Sequence, residues 1–189
     1  MANVRYPNWI TISPAQDKLS RTFADDVIRI GNIAGHLAVR GAERDPEVWY
    51  KGKLAECVFA IECGQDPAKV LHWDPYNPDN GWDVMHNGVK NDVKATYPQA
   101  ECLIWPIGKN DLFAGKDFDA LVLTKINARC LVGFSYGWVP KAVFAAEHKI
   151  ARPGMMGPGS KLDPGTWFME QGDIWSMDDL WHPTDCVEP

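Results

Sequence analysis

Hydrophobic and polar residues alternate on both sides of Asn87-Gly88, within the segment from Gly81 to Thr96. An Asn-Gly pair between two alternating runs is the strongest short-range signal for a β-hairpin, because a two-residue type I′ turn needs positive φ at both positions. The register that follows from this turn places Asp83 directly opposite Asp92. The pattern therefore predicts a hairpin that brings two carboxylates together.

Successive side chains of a strand point to opposite faces of the sheet, so the predicted hairpin has two different faces. One face is largely apolar and is expected to lie on the core; it carries Trp82, Val84, His86, Val89, Asn91 and Val93. The other face carries most of the charge: Asp83, Met85, Lys90, Asp92 and Lys94.

Two helices are predicted before the hairpin from apolar positions that recur with a period near 3.6. The first is expected at about Phe23–Gly41, after an irregular stretch over residues 1–19. The second is expected at about Pro46–Cys63, with Asp45 as its N-cap and Gly64 as its C-terminal stop. Proline in the first turn supports this start.

Apolar runs after the hairpin predict further strands at Cys102–Pro106, Asp119–Ile126 and Cys130–Trp138, and a short helix at Lys141–Lys149. The next stretch is rich in glycine and proline and is expected to be a loop. Residues 150–189 are interpreted as this loop followed by an irregular, acidic and aromatic C-terminal tail. The chain as a whole, residues 1–189, is expected to form a single domain.

The composition, at 189 residues and 46% hydrophobic, suits one domain with a substantial core. No run of 18 apolar residues predicts a membrane span, and the N-terminus lacks the apolar region of a signal peptide. The five cysteines form no Cys-x-x-Cys pair, which argues against a zinc site or a disulfide framework. A cytoplasmic protein with no membrane partner is the resulting expectation.

The net charge of −6 excludes a protein that coats DNA through global positive charge. Any contact with nucleic acid must then come from a local basic patch. The densest cluster of basic residues is Arg40, Arg44, Lys51 and Lys53, just before and within the second predicted helix. The alternative is that this cluster is only a solvated helix face.

Two carboxylates placed opposite each other destabilise a hairpin unless a positive charge compensates them. A divalent cation such as Mg²⁺, Mn²⁺ or Ca²⁺ is suited to this role, because hard cations bind carboxylate oxygens. Lys94, two residues beyond Asp92 on the same face, would orient a water or neutralise negative charge. The alternative is that Asp83 opens a strand and Asp92 pairs with Lys90 or Lys94 on a solvated face.

The order of a helix, a strand with one aspartate and a strand with Asp-x-Lys resembles the PD-(D/E)XK nuclease superfamily over about residues 47–140. Asp83 matches the first acid, Asp92-Val93-Lys94 matches the (D/E)-x-K motif, and Glu56 matches the helix glutamate. The residue before Asp83 is a tryptophan and not the family's proline. The literal dipeptide Pro78-Asp79 lies four residues earlier, but the hairpin register favours Asp83.

The resemblance implies an α/β (α+β) restriction-endonuclease-like αβββαβ core, with a mixed central sheet flanked by helices and an extra N-terminal helix. It implies a Mg²⁺- or Mn²⁺-dependent deoxyribonuclease, more specifically an endonuclease, that acts on DNA. Asp83, Asp92, Glu56 and the Val93 carbonyl would hold the metal, and Lys94 would assist the nucleophile. The family analogy also implies a homodimer and a phage or mobile-element origin.

Two alternatives remain open at the level of the sequence. One is a nuclease that acts on RNA or on branched DNA. The other is a nuclease-like fold that serves as a binding or scaffold module without catalysis, which the acidic net charge favours because it opposes DNA binding.

Overall fold

The structure, a computed structural model, describes residues 8–34, 45–78, 81–99, 102–105, 113–157 and 160–181. The main sheet contains β1 (Ile10–Thr11), β2 (Val84–His86), β3 (Val89–Thr96), β5 (Ala120–Asn127), β6 (Val132–Pro140) and β11 (Trp175–Ser176). Its strand order is β1-β6-β5-β3-β2. β11 also pairs with β6, at Gly137 and Trp138, whereas β1 pairs with Val132 and Gly133. The sheet is mixed, because β3 and β5 run parallel and the other pairs are antiparallel.

A second, smaller sheet is formed by β4 (Cys102–Trp105), β7 (Lys149–Ile150) and β10 (Trp167–Glu170), in the order β4-β10-β7. A separate pair joins β8 (Met156–Gly157) and β9 (Ser160–Lys161). The predicted strand after the hairpin therefore exists as β4, but it belongs to the second sheet and pairs with the C-terminal part of the chain.

The helices of the described residues are α1 (Pro14–Ala34), α2 (Pro46–Glu62), α3 (Pro67–Val70), α4 (Lys141–Glu147) and α5 (Met177–Trp181). The prediction for α2 is confirmed in both position and cap. The Asp45 side chain accepts a hydrogen bond from the Glu47 amide, and Gly64 follows the helix with a φ of 71°. The helix predicted at Lys141–Lys149 is confirmed as α4, but it ends at Glu147, and Lys149 belongs to β7.

The start of α1 differs from the prediction, because the helix begins at Pro14 and not near Phe23. Ser13 and Gln16 form a capping box here: the Gln16 amide donates to Ser13 Oγ, and the Ser13 amide donates to Gln16 Oε1. Reciprocal bonds of this kind satisfy amides that have no partner within the helix. The irregular stretch expected over residues 1–19 is thus wrong at Ile10–Thr11, which form β1, and again from residue 14 onward.

The expectation of an irregular C-terminal tail is also wrong for residues 160–181, whereas residues 182–189 lie outside the described residues. β10 lies between β4 and β7, and β11 adds to the edge of β6, so this segment belongs to both sheets. Gly137 of β6 makes the second contact possible, since a Cβ atom there would lie 2.5 Å from the Trp175 carbonyl oxygen. The sequence does not indicate these strands, because they are short and pair with segments far away along the chain.

Two apolar clusters cover the two faces of the main sheet. On one face α2 packs against Val84, Val93 and Val122, and α1 packs against α2. On the other face Leu121 and Leu123 pack with β4, β10 and α4. The protein is thus a mixed α/β fold with a curled mixed sheet flanked by helices, and no helix of the described residues has the length and apolar character needed to cross a membrane.

Candidate active site at the end of the hairpin

The hairpin adopts the predicted register, with Val84 opposite Asn91 and His86 opposite Val89. Its turn residues both have positive φ, 49° at Asn87 and 82° at Gly88. Asn91, expected on the core face, is fully buried, and its amide group donates to the backbone carbonyls of Val84 and Val89. The local prediction of the hairpin is therefore confirmed.

Asp83 departs from the ladder, which ends at the pair of Val84 and Asn91. Its own amide donates to the Asn91 carbonyl at 2.8 Å, and its carboxylate accepts a hydrogen bond of 2.7 Å from the Val93 amide. Asp83 is therefore not the cross-strand ladder partner of Asp92. Its carboxylate is instead fixed against the backbone of β3 by the bond to Val93.

The predicted catalytic and metal-binding residues line one pocket with a volume of about 510 Å³. The side chains come from three separate segments: α2, the residues just before β2, and β3. The pocket includes Glu56, Asp83, Asp92, Val93 and Lys94, together with Lys51, Lys53 and Lys116. The structure thus brings together residues up to 38 positions apart that the sequence analysis had grouped, Glu56 and Lys94 being the outermost.

Asp92 is the most deeply buried of the three acids, with 1% of its side chain exposed. Two ammonium groups compensate its charge: Lys94 Nζ lies 2.5 Å from Oδ2, and Lys116 Nζ lies 3.1 Å from Oδ1. The bond with Lys116 has hydrogen-bond geometry, whereas the Lys94 contact is an ion pair at an unfavourable angle. The pairing with Lys94 that the alternative expected is therefore present, but Asp92 is buried and does not lie on a solvated face.

Glu56 is buried and pairs with Lys53, whose Nζ donates to Oε2 at 2.5 Å. Lys53 is itself only 4% exposed, and its ammonium lies over the rings of Phe23 and Trp73 at 4.7 and 5.6 Å. Ion pairs in such surroundings are costly to break, because the remaining partner is left as an unpaired buried charge. This pair therefore fixes Glu56 at the pocket wall.

The three acids act on one another electrostatically. Burial, followed by the charges of Glu56 and Asp92, raises the pKa of the Asp83 carboxyl well above its usual range, while Lys94 and Lys53 oppose this change. Burial also raises the pKa of Glu56, and the Asp92 charge adds to this effect against the opposing influence of Lys53. The pocket thus brings three carboxyl groups close enough to influence one another, beside the ammonium groups of Lys53 and Lys94.

The chemistry of this donor set fits a hard divalent cation. Carboxylate oxygens are preferred ligands of Mg²⁺ and Mn²⁺, and a cation would offset the repulsion between these carboxylates, which adds to the effect of burial on the pKa of Asp83. In the part of the chain that the structure describes, no three Asp, Glu, His or Cys side chains are grouped closely enough to ligate one ion. Ammonium groups instead contact Asp92 and Glu56, so a cation would have to compete with Lys94, Lys116 and Lys53.

The proposed nucleic-acid cluster is described only in part. Arg40 and Arg44 lie outside the described residues. Lys51 is partly exposed at the pocket, where its ammonium donates to the Tyr97 hydroxyl at 3.1 Å. Lys53 does not lie on a solvated helix face, because its ammonium is committed to Glu56 in the interior.

Lys116 is the residue of the site that the sequence does not indicate. Lys116 comes from the segment before β5, and nothing in the local pattern links it to Asp92. Trp105 of β4 is buried beneath both lysines, with its ring centroid 4.8 Å from Lys94 Nζ and 5.8 Å from Lys116 Nζ. Contacts of this kind between a cation and an aromatic face help to hold the ammonium groups in place.

Comparison of the chain with protein-family models, with curated proteins and with solved structures found no match. The function must therefore be argued from the geometry and the charges of the pocket.

Proposed function

We propose that this protein is a metal-dependent nuclease that hydrolyses DNA phosphodiester bonds, and specifically an endonuclease with a restriction-endonuclease-like core. The observation that carries this proposal is the convergence of Glu56, Asp83, Asp92 and Lys94 on one pocket. These four residues were selected from the sequence by a motif that spans a helix and two strands. The order α2, β2 and β3 along the chain, with β5 parallel to β3, supports the same assignment.

The roles follow from the positions of the side chains. Asp92 and Asp83 would be the central metal ligands, with Glu56 and the Val93 carbonyl as further donors. A bound Mg²⁺ or Mn²⁺ would supply a water of lowered pKa and positive charge for the phosphate oxygens. Lys94 lies next to Asp92 and would hold a proton on Nζ, where it can orient the attacking water or stabilise the charge that develops on the phosphate.

The site also excludes bulk water on one side. The buried ring of Trp105 lies beneath Lys94, and Asp92 is almost fully enclosed. Electrostatic interactions in such a region are stronger than in water, so an ammonium group there stabilises charge more effectively.

The direct test is incubation with linear, circular, single-stranded and branched DNA, and with RNA, in Mg²⁺, in Mn²⁺ and with chelator. We expect metal-dependent cleavage of DNA by the wild type. Asp92→Asn and Lys94→Ala are each expected to reduce the rate by about 10²–10³-fold or more, by analogy with the loss of one transition-state contact.

Matched controls are available on the same part of the fold. Asp117→Asn removes a carboxylate that is 71% exposed, and Lys90→Ala removes the β3 lysine that pairs with it. Neither residue lines the pocket, so both variants should cleave like the wild type. Wild-type cleavage by Asp92→Asn, with its fold verified by circular dichroism, would contradict the assignment of the site.

A scaffold or binding module without catalysis is the second candidate. It is favoured by the ammonium groups that already contact Asp92 and Glu56, and by the net charge of −6. A module of this kind would bind no divalent cation. Calorimetric titration with Mn²⁺ therefore separates the two candidates independently of any choice of DNA substrate.

A further inference from the structure

Lys116 is the pocket residue that the nuclease motif does not explain. It lies 24 residues beyond Asp92 in the sequence, yet its Nζ donates to Asp92 Oδ1 at 3.1 Å. Its side chain is 15% exposed and lines the same pocket as Lys94. The ammonium group is therefore at the site and still accessible to a ligand in the pocket.

The segment that carries Lys116 is fixed by the surrounding fold. Lys141 Nζ, at the start of α4, donates to the carbonyls of Lys116 at 2.6 Å and of Ala114 at 3.1 Å. The Asp119 carboxylate accepts a hydrogen bond of 2.8 Å from the Lys90 amide of β3. These hydrogen bonds, from a side chain of α4 and from the backbone of β3, hold the segment of Lys116 beside Asp92. A mobile surface lysine would have no such support.

Phe113 and Phe118, which flank this segment, pack on the Trp105 ring at centroid distances of 4.8 and 5.9 Å. The same ring lies beneath the ammonium groups of Lys94 and Lys116. The Trp105 ring therefore contacts both the segment that carries Lys116 and the ammonium groups of Lys94 and Lys116.

The charges around Asp92 indicate what Lys116 contributes. One carboxylate is shared by two ammonium groups, so Asp92 alone does not balance Lys94 and Lys116. A phosphodiester that entered the pocket would meet both ammonium groups, since Lys94 and Lys116 line the same pocket. Its oxygens accept hydrogen bonds from lysine ammonium groups.

We propose that Lys116 and Lys94 form a phosphate-binding subsite, in which Lys116 contacts the DNA phosphodiester directly. This inference rests on the proposed function and deepens it, because it assigns a group that holds the substrate phosphate. The competing explanation is that Lys116 serves only to neutralise the buried carboxylate of Asp92.

The test measures DNA binding separately from cleavage. A short fluorescein-labelled DNA duplex and its single strand are titrated with wild type, Lys116→Ala, Lys116→Gln, Lys116→Arg and the control Lys90→Ala. Chelator prevents cleavage, anisotropy reports binding at several salt concentrations, and thermal unfolding verifies that each variant is folded. Lys116→Gln keeps a polar side chain of similar length and provides a second neutral variant if Lys116→Ala does not fold.

A lysine that contacts a phosphate contributes to the release of counterions. Lys116→Ala and Lys116→Gln should therefore weaken binding and reduce the slope of log K against log salt concentration by about 1. Lys116→Arg should keep most of the slope, and Lys90→Ala should keep affinity and slope. In metal, Lys116→Ala should also reduce the cleavage rate by about 10²–10³-fold.

The outcomes distinguish this inference from the proposed function. Affinity and slope of Lys116→Ala equal to those of Lys90→Ala would overturn the subsite even if the wild type cleaves DNA. Binding that depends on Lys116, without cleavage in any metal, would keep the subsite and reject the nuclease. A wild type that neither binds nor cleaves any of these nucleic acids would reject both.

Discussion

Glu62, near the end of α2, shows how burial changes one carboxyl group. The Ser135 amide donates to both of its oxygens, at 3.0 and 3.2 Å, and thereby joins α2 to β6. Burial raises the pKa of Glu62 above its usual value of 4.5, and the bonds from Ser135 only partly oppose this. The folded protein therefore retains the Glu62 proton at a higher pH than the unfolded chain does.

This difference predicts a pH dependence of stability. Between pH 4.5 and the raised pKa of Glu62 the folded state binds more protons than the unfolded state, so the free energy of unfolding falls as pH rises. Glu62→Gln removes the titrating group but keeps an acceptor for the Ser135 amide. Relative to the wild type, this variant should become progressively more stable as pH rises through that interval.

Denaturant unfolding of both proteins from about pH 4 to pH 8 measures this difference. Glu147→Gln, at an exposed position of α4, controls for the loss of one negative charge. A constant difference between Glu62→Gln and the wild type over the whole range would contradict the raised pKa. A Glu62→Gln variant that becomes less stable relative to the wild type as pH rises would show that the ionised carboxylate is favoured in the folded state.

At the scale of the elements, two glycines with similar space around them have opposite backbone requirements. A Cβ atom at Gly88 or at Gly52 would have no other atom within 4 Å. Gly88 adopts a φ of 82° in the hairpin turn, whereas Gly52 lies in the interior of α2 without a positive φ. The same substitution to alanine should thus have effects of opposite sign, with no steric contribution at either position.

We expect Gly88→Ala to destabilise the protein by about 1–2 kcal/mol, because a left-handed conformation is costly for a residue with a Cβ atom. Gly52→Ala should stabilise it by about 1 kcal/mol through helix propensity. Chemical denaturation of both variants against the wild type measures the two changes. A loss of stability at both positions would show that the space seen around Gly52 is not available.

The same comparison indicates what a sequence can predict. The hairpin and α2 were located correctly, because the Asn87-Gly88 turn, the Asp45 cap and the Gly64 stop act within a few residues of themselves. The capping box at Ser13 and Gln16 is equally local, and it could have placed the start of α1. Turns and helix caps of this kind can be predicted from the sequence, because the residues that form them are only a few positions apart.

Contacts between distant segments were not predictable in the same way. The pairing of Trp105 with Trp167 joins β4 to β10 across 62 positions, and Lys116 reaches Asp92 from another loop. Short strands gain their stability from the surface on which they pack, so their own sequence carries little periodic signal. The acids of the site can be predicted because they follow a motif, whereas the position of Lys116 at the site is evident only from the tertiary structure.

At the scale of the whole molecule, the acidic net charge and the lysines of the pocket act in opposite directions. A protein with a charge of −6 repels DNA at long range, whereas Lys51, Lys94 and Lys116 place positive charge at one pocket. A divalent cation would add to that local positive charge. Binding of a cation by the carboxylates would therefore increase the attraction of the pocket for an anionic substrate.

Metal binding should also stabilise the fold as a whole. The carboxylates come from α2, from the residues before β2 and from β3, so an ion that joined them would link these segments only in the folded state. Ligand that binds the folded state alone raises the free energy of unfolding by about 2.7 kcal/mol at roughly 100 times its Kd. Wild type and Asp117→Asn should therefore unfold at higher temperature as Mn²⁺ is added.

Asp92→Asn should lose this response, because Asp92 is the acid enclosed between the two lysines. Thermal unfolding measured against Mn²⁺ concentration gives the response of each variant, and calorimetry gives the binding heat under the same conditions. An Asp92→Asn response equal to that of the wild type would place the ion elsewhere. A wild type with no shift and no heat at millimolar Mn²⁺ would favour the scaffold, since its carboxylates would then be satisfied by Lys53, Lys94 and Lys116 alone.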